Sequence, residues 1–272
     1  MGTITGYRVS AAPEGTSIEG APRQRIFTEP GTLKLIAFVI LIVIWQVVGM
    51  TAGTFFATPA STVSALIQLI AHGGLLSAAW ASIEVFLLGF VVSAVIGVAI
   101  GIAAGLSKPV SRLIDLPVTI FWATPTVALI PLFVLWLGLT TATSLAIVFL
   151  STLFPVIINT TVGVETIDPL LFNVAAAFNK SRAYRLFKIV IPAAAPHIGS
   201  GLRLGVGRAI IGVFVAEVFT SATGIGEQMQ TYATYFQTAN YLAALIVFII
   251  ISMCATGLVT WGTRRWAKWD AA

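Results

Sequence analysis

The sequence predicts an all-α polytopic membrane protein with about six transmembrane helices. Of its 272 residues, 58% are hydrophobic and 9% are charged, a balance that excludes an ordinary soluble domain. The apolar residues gather in long runs, and roughly 20 apolar residues in a helix cross a hydrocarbon core about 30 Å thick. Because these runs lack the alternation of a membrane β-barrel, helices are the spans that we expect.

The apolar runs also predict the domain organisation. We expect residues 1–32, which are polar and rich in Gly, Pro and Thr, to form a disordered cytoplasmic tail and not a signal peptide. Residues 33–272 then form one transmembrane domain. Its predicted spans, in chain order, are residues 33–50, 81–106, 118–137, 143–163, 203–222 and 241–262.

The basic residues predict the orientation of the spans. All 15 Lys and Arg lie in the N-terminal tail, in the second connection, in the fourth connection with the start of the fifth span, or at the C-terminus. Because cytoplasmic loops are enriched in basic residues, both termini and the fourth connection should be cytoplasmic. The net charge of +5 therefore reflects topology, and we expect no nucleic-acid binding.

The second span carries a small residue at every fourth position. Such a column lies on one helix face and allows a close approach of another backbone. Two interpretations are open, namely packing within one subunit and a contact between two copies of the chain. The residues of this column are Gly89, Ser93, Gly97, Gly101 and Gly105.

Prolines interrupt the third and fourth spans, at Pro117, Pro125, Pro131 and Pro155. Each proline removes a backbone donor and kinks or breaks a helix. Broken helices at membrane depth are tolerated where they line a cavity or are covered by protein. Pro125 and Pro131 are therefore candidates for a pathway or gate, although plain kinks in a packed bundle explain them equally well.

Outside the spans, Pro59 to His72 is predicted to form an amphipathic helix at the external surface, with one face made by Val63, Leu66, Ile67 and Ile70.

The fourth connection, residues 168–192, is predicted to form a helix, a turn and a second helix. Asp168 followed by Pro169 is a favourable helix start. Asn179 suits the left-handed conformation that ends a helix, and Ser181 suits the cap of the next one. We expect Pro192 to stop this second helix, and Ala175, Ala176 and Ala177 to be exposed beside Phe172 and Phe178.

The spacing in this hairpin resembles the coupling loop of ATP-binding-cassette (ABC) importer permeases. The family motif is Glu-Ala-Ala, then Gly, then Ile-x-Leu-Pro, and here Asn173 and Asn179 replace the Glu and the Gly. The resemblance implies that the hairpin docks on an ATPase, whereas composition alone equally fits a helix pair on the inner leaflet. The implied docking residues are Phe172, Asn173, Val174, Ala175, Ala176, Ala177, Phe178, Asn179, Ile189, Ile191 and Pro192.

The resemblance extends from about Ser82 to Thr263. This stretch of the chain is similar to the permeases of nitrate, sulfonate, taurine and bicarbonate importers. The motifs that carry the similarity are Leu135-Trp136-Leu137-Gly138, Gly201-Leu202-Arg203-Leu204, Ala216-Glu217 and Gly224-Ile225-Gly226. Val85 departs from the family, which often carries Arg there.

The resemblance implies a complete importer with the type I ABC importer permease fold in the inner membrane. Two copies of the chain form the channel, two ATPase subunits bind ATP and Mg, and an extracytoplasmic binding protein delivers a small organic or inorganic anion. The chain itself should bind no cofactor. It lacks a phosphate-binding Gly-x-x-x-x-Gly-Lys-Ser/Thr loop and a clustered nucleophile and base, so we expect no enzymatic activity.

Few polar residues lie within the spans. Glu217 is a candidate for the substrate pathway or gate, or else a packing acid bonded to a neighbouring helix, and Glu84 is a second candidate near the external end of its span. Arg203 and Arg208 are expected to snorkel to the inner surface. His72 and His197 are isolated, so no metal site is expected.

A stand-alone secondary transporter or channel is the alternative function, which would call for more midplane charges and an inverted repeat.

Overall fold

The computed structural model describes residues 30–51, 53–220 and 223–266 of the chain. These residues form helices and turns, without a strand among them. The helices are α1 (Pro30–Thr51), α2 (Pro59–Ala71), α3 (Leu75–Leu106), α4 (Lys108–Ala123), α5 (Ile130–Leu137), α6 (Thr141–Glu165), α7 (Pro169–Ala177), α8 (Arg182–Arg185), α9 (Ile191–Thr220), α10 (Ile225–Thr234) and α11 (Thr238–Trp266).

The chain divides into two units, Met1–Trp45 and Gln46–Ala272. In the first unit, the described residues are the first part of α1, whose side chains are apolar and exposed, among them Leu35, Phe38 and Leu41. A helix that is apolar on all sides suits a lipid environment. The rest of the predicted tail, residues 1–29, lies outside the described residues.

The predicted number of spans agrees with the structure. Four helices are long and apolar enough to cross a membrane, namely α1, α3, α6 and α11, and two bent helix pairs bring the number to six if each is one span. The all-α class and the polytopic membrane architecture are therefore confirmed. In one bent pair, α4 meets the segment Thr126–Leu137 at 94°; in the other, Arg182–Thr220 meets α10 at 51°.

The bend of 94° lies within the third predicted span. α4 ends at Ala123, Pro125 precedes a 3₁₀ turn over Thr126–Leu129, and Pro131 lies in the first turn of α5. Proline cannot donate a backbone hydrogen bond, so a continuous helix through both positions would be costly. A single straight helix over 118–137 is therefore ruled out, and the break follows the prolines.

In the second unit, the core is a close packing of α3, α6 and α9. Its central cluster combines Phe86 and Phe90 of α3, Val148 of α6, and Val206 and Val213 of α9. Small residues bring the three backbones together, since in lipid helices associate by packing and hydrogen bonding and not by exclusion of water.

The column of small residues on α3 lies against α6 of the same chain. A Cβ atom added at Gly101 would lie 2.5 Å from Thr160 Cβ, and one added at Gly105 would lie 2.5 Å from Val164 Cβ. The Ser93 hydroxyl donates to the Phe149 carbonyl oxygen at 2.9 Å. Of the two interpretations of the column, packing within one subunit accounts for these contacts.

Two smaller clusters close the ends of this core. At one end, α2, the start of α3, α10 and α11 pack together around Leu69, Leu75, Met229 and Ala244. At the other end, Val164 of α6 and Ile198 of α9 pack with residues of the α7–α8 hairpin. The hairpin and α10 thus lie at opposite ends of the bundle.

Helix α2 is present where it was predicted, and its predicted apolar face is not the face that packs on the bundle. Its buried residues are Thr62, Ala65 and Leu69, whereas Val63 and Ile67 are exposed. Thr62 and Ala65 are small enough to permit a close approach to α11 and α3. Leu66 and Leu69 pack in the same cluster, whereas Val63, Ile67 and Ile70 face outward. Helix α10 was not predicted, since its polar sequence resembles a loop.

We expect Gly101→Ala to destabilise the bundle, because the added methyl group would overlap Thr160 and overpacking of a core costs about 1–3 kcal/mol. Thermal unfolding of the purified protein in detergent measures the effect. Gly257→Ala on α11 is the matched control, since a Cβ atom at Gly257 meets nothing within 4 Å. Equal melting temperatures for the two variants would contradict the packing described.

Candidate functional site

The α7–α8 hairpin begins and ends its first helix with the predicted capping residues. The Asp168 carboxylate accepts a hydrogen bond from the Leu170 amide at 2.8 Å, and Pro169 follows it in the first turn. At the other end, Asn179 has a φ of 54°. The Lys180 and Asn179 amides donate to the Ala175 and Ala176 carbonyl oxygens, each at 2.9 Å, which is the hydrogen-bond pattern of a Schellman cap.

The second helix of the hairpin is also capped as predicted, because the Ser181 hydroxyl accepts from the Tyr184 amide at 3.2 Å. Its predicted end is wrong. The chain continues as a helix from Arg182 to Thr220, through a π turn over Leu186–Val190. In this wider turn the Ile191 amide bonds the Leu186 carbonyl oxygen, so Pro192 enters α9 in its first turn and does not stop the helix.

The hairpin has an inner face that anchors it to the bundle. Phe172, Leu186 and Ile189 pack on the buried cluster of Val164, Val190 and Ile198. The prediction that all three alanines are exposed is wrong for Ala175, which is only 4% exposed. Its methyl group is small enough for α7 to lie close to the rest of the chain.

The outer face of α7 is open. Asn173, Val174, Ala176, Ala177 and Asn179 are exposed, and Phe178 is 71% exposed. The face therefore presents small and apolar side chains beside a projecting aromatic ring. Ile191 and Pro192, at the other end of the motif, are half-buried.

A basic cavity lies between the hairpin and the adjoining ends of α3, α4 and α6. Its volume is about 890 Å³, and its lining includes Lys108, Arg112, Arg182 and Arg185, with Glu165 as an acidic residue. The cavity gives this end of the bundle a strongly positive surface.

Glu217 connects three helices at the opposite end. The side chain is 0% exposed. Its Oε2 atom accepts hydrogen bonds from the Ser82 hydroxyl of α3 at 2.9 Å and from the Gly226 amide of α10 at 2.8 Å. Ser82 in turn accepts from the Ile225 amide at 2.9 Å. A Cβ atom at Gly224 would collide with the Glu217 carboxyl group, so only glycine permits this approach.

The other candidates for a pathway or gate lie apart from Glu217. Glu84 is exposed on α3. Pro125 and Pro131 are exposed at the bend between α4 and α5. Within the described part of the chain, no group of three His, Cys, Asp or Glu side chains could hold a metal ion.

One contact at mid-helix was not predicted. The guanidinium of Arg208 on α9 lies over the ring of Trp122 on α4, 5.1 Å from its centroid. The two residues are distant in the sequence, so their pairing had no local signal. The indication available in the sequence was that Arg208 lies several residues inside an apolar run, where a charged side chain needs a partner or water.

The chain is similar to known membrane transport components. Residues 96–268 match the family model described as "Binding-protein-dependent transport system inner membrane component". A putative aliphatic sulfonates transport permease protein of Bacillus subtilis is 33% identical over 233 residues, which cover 85% of this chain and 84% of the relative.

Two further relatives cover similar shares. The putative aliphatic sulfonates transport permease protein of Escherichia coli is 32% identical over 85% of this chain and 89% of its own length. The nitrate import permease protein of Synechocystis is 28% identical over 88% of this chain and 87% of its own length. The chain therefore belongs to the family of binding-protein-dependent transport system inner membrane components, as an ABC importer permease of the sulfonate and nitrate type.

Proposed function

We propose that this chain forms the translocation pathway of an ATP-driven importer for a small anion, and that its α7–α8 hairpin docks on a separate ATPase subunit. The observation that carries the proposal is the open outer face of α7, on a hairpin whose inner face packs on the membrane helices. A permease of this family transports solute, and we infer that ATP hydrolysis takes place on the partner.

The hairpin combines the two properties that a mechanical coupling element needs. Its outer face offers small side chains around Phe178, which suits insertion of a short helix into a groove. Its inner face is anchored through Phe172 and Ile189 to the buried cluster at the base of α6 and α9. A displacement of the docked hairpin would therefore be passed to the membrane helices.

The loss of the family's Glu and Gly is compatible with this role. Asn179 adopts the left-handed conformation that Gly would supply, and Asn tolerates it better than most residues. Asn173 is exposed and offers a neutral amide where the family has a carboxylate. We infer that this contact with the ATPase is a hydrogen bond and not an ion pair.

We further infer an assembly of two permease copies, two ATPase subunits and an extracytoplasmic binding protein. α4 has no buried residue in a single chain, and the face of α9 that carries Arg208 is open. A second copy would enclose these surfaces in one pathway. ATP and Mg would bind to the ATPase subunits, since the sequence of this chain has no phosphate loop.

We infer the orientation from the charge distribution and the substrate class from the relatives. The basic residues around the hairpin cavity support a cytoplasmic position for this end of the bundle, with both termini on the same side of the inner membrane. The relatives named above are permeases for aliphatic sulfonates and for nitrate. We infer a substrate of that class, such as a sulfonate, taurine, nitrate or an aromatic carboxylate.

The proposed mechanism is alternating access. One continuous helix runs from Arg182 in the hairpin to Thr220, and Glu217 near its far end is bonded to α3 and α10. Motion of the hairpin on ATP binding would thus reach the external end of the bundle directly. We assign Glu217 to this gate as a structural connection, and the Pro125–Pro131 bend and Glu84 to the pathway region.

A pull-down of the tagged chain from its native membrane in mild detergent tests the function. We expect mass spectrometry to identify a co-purifying ATPase subunit that has a phosphate loop and no spans of its own. Absence of any ATPase across several detergents would instead favour a stand-alone transporter.

We expect Ala176→Glu to uncouple transport, because a charged, larger side chain would occupy the centre of the docking face. Substrate-stimulated ATPase activity of the reconstituted complex should fall severely, while the variant remains folded and inserted. Ala176→Ser, which adds a single oxygen atom, is the control and should retain coupling. Unchanged stimulation in Ala176→Glu would place the docking face elsewhere on the chain.

We expect Glu217→Ala to lower both stability and uptake, because the Gly226 amide and the Ser82 hydroxyl would lose a buried acceptor, at a cost of about 1–3 kcal/mol for each unsatisfied group. Glu217→Gln keeps a carbonyl oxygen in place and should retain most uptake. Thermal unfolding and uptake are measured together. A stable Glu217→Gln protein without uptake would show that the charge itself is needed for transport.

A further inference from the structure

Arg208 lies at the middle depth of the helix bundle. On α9, Gly205 and Gly212 flank it, and Cβ atoms added there would lie 3.2 Å from Thr152 Cγ2 and 3.2 Å from Ser151 Oγ. Thr152 and Ser151 are near the centre of α6, which spans Thr141–Glu165. The arginine is therefore far from both ends of a helix that crosses the membrane.

The face of α9 around Arg208 is not covered by the chain. Leu204, Gly207, Arg208 and Ile211 are all exposed, and a Cβ atom at Gly207 would meet nothing within 4 Å. Among the described residues, no acidic side chain pairs with Arg208, whose contact is the Trp122 ring. The site therefore has a positive charge that no described acidic residue neutralises, and room beside it.

Arg203 shows how the chain satisfies an arginine that has a structural role. Its guanidinium donates to the Thr263 hydroxyl at 3.0 Å and to the Ser200 hydroxyl at 2.9 Å. Arg208 has no such bonds among the described residues. The sequence predicts that both arginines snorkel to the inner surface. In the structure, Arg208 instead contacts Trp122 at mid-depth.

A guanidinium at this depth is costly if it faces lipid, so ionisable residues within spans face the bundle interior or a water-filled cavity. Trp122 lies one residue before the end of α4, beside the 94° bend. Broken backbone is tolerated at membrane depth where it is buried in protein or lines a water-filled space. Both observations favour an aqueous environment for this face.

The position of Trp122 is held by the packing of its neighbour. Phe121 stacks on Phe154 of α6, with ring centroids 5.5 Å apart and an angle of 6° between the planes. The cation–π contact in turn restrains the guanidinium. The arginine is thus partly positioned before any ligand arrives.

We propose that Arg208, held beside Trp122, is an anion-binding site within the translocation pathway. The planar guanidinium offers paired N–H donors that match two oxygens of a sulfonate, nitrate or carboxylate group. A single exposed arginine binds an anion without enclosing it, so the anion is also released. This inference rests on the proposed transport of anions, and it assigns part of the selectivity to the membrane domain.

Cysteine chemistry on the assembled importer tests the site. The chain has one cysteine, Cys254, so Arg208→Cys is made in a Cys254→Ser background. Uptake of ethanesulfonate, taurine, nitrate and benzoate is measured in membrane vesicles that contain the whole complex. We expect uptake to fall about ten- to a hundredfold, which corresponds to the loss of one charge-assisted hydrogen-bonding group.

The new cysteine is then treated with two membrane-impermeant methanethiosulfonate reagents, one cationic and one anionic. We expect labelling, protection by the transported anion, and partial recovery of uptake with the cationic reagent alone. Val95→Cys is the control, because Val95 is an exposed apolar residue of α3 at a similar depth in the bundle. The depth follows from Gly97, two residues away, since Gly97 of α3 and Gly205 of α9 both face Val156 of α6. This cysteine should stay unlabelled.

Three results would overturn the site: no labelling at position 208, full uptake by the unlabelled Arg208→Cys complex, or equal recovery with both reagents. Failure of the proposed function itself gives a different result, in which the Cys254→Ser complex that retains Arg208 takes up none of the four anions when ATP is supplied.

Discussion

The structure depends on the close approach of α3, α6 and α9. Within a bilayer, apolar side chains gain little by leaving lipid for one another, so helices associate through tight packing and interhelical hydrogen bonds. The glycines of α3 supply that packing by admitting Val148, Thr160 and Val164 of α6 to its backbone. Larger residues in the column would separate the helices and loosen every contact that the bundle supports.

This packed core connects the two ends of the bundle that carry the proposed coupling surface and the proposed gate. α9 carries the hairpin at one end and Glu217 at the other, and it lies against α6 through glycines along its length. A rigid helix in a tightly packed bundle moves as a body, since packed interfaces have discrete arrangements and deform little. The same helix presents Arg208 between the two ends, so the proposed coupling surface, the proposed anion site and the proposed gate share one element.

Local chemistry could be predicted from the sequence, and tertiary contacts could not. Asp168, Asn179 and Ser181 act on backbone groups a few residues away, so their capping roles were evident from spacing. The burial of Ala175 depends on how the hairpin lies against the bundle. The contact of Arg208 with Trp122 joins separate helices, and the hydrogen bonds of Glu217 depend on α10, whose polar sequence gave no apolar pattern. The bend was indicated by its prolines, although its angle was not.

The π turn between the hairpin and α9 has a consequence for how the chain tolerates changes in length. A π turn holds one residue more than an α turn, while each residue of an α-helix adds about 100° of rotation. If Leu186–Val190 adopted α-helical geometry with the same number of residues, the hairpin would rotate by about 100° relative to α9. The buried Val190 side chain opposes such a rotation. The insertion of a single residue in this segment would therefore turn the proposed docking face away from its present direction.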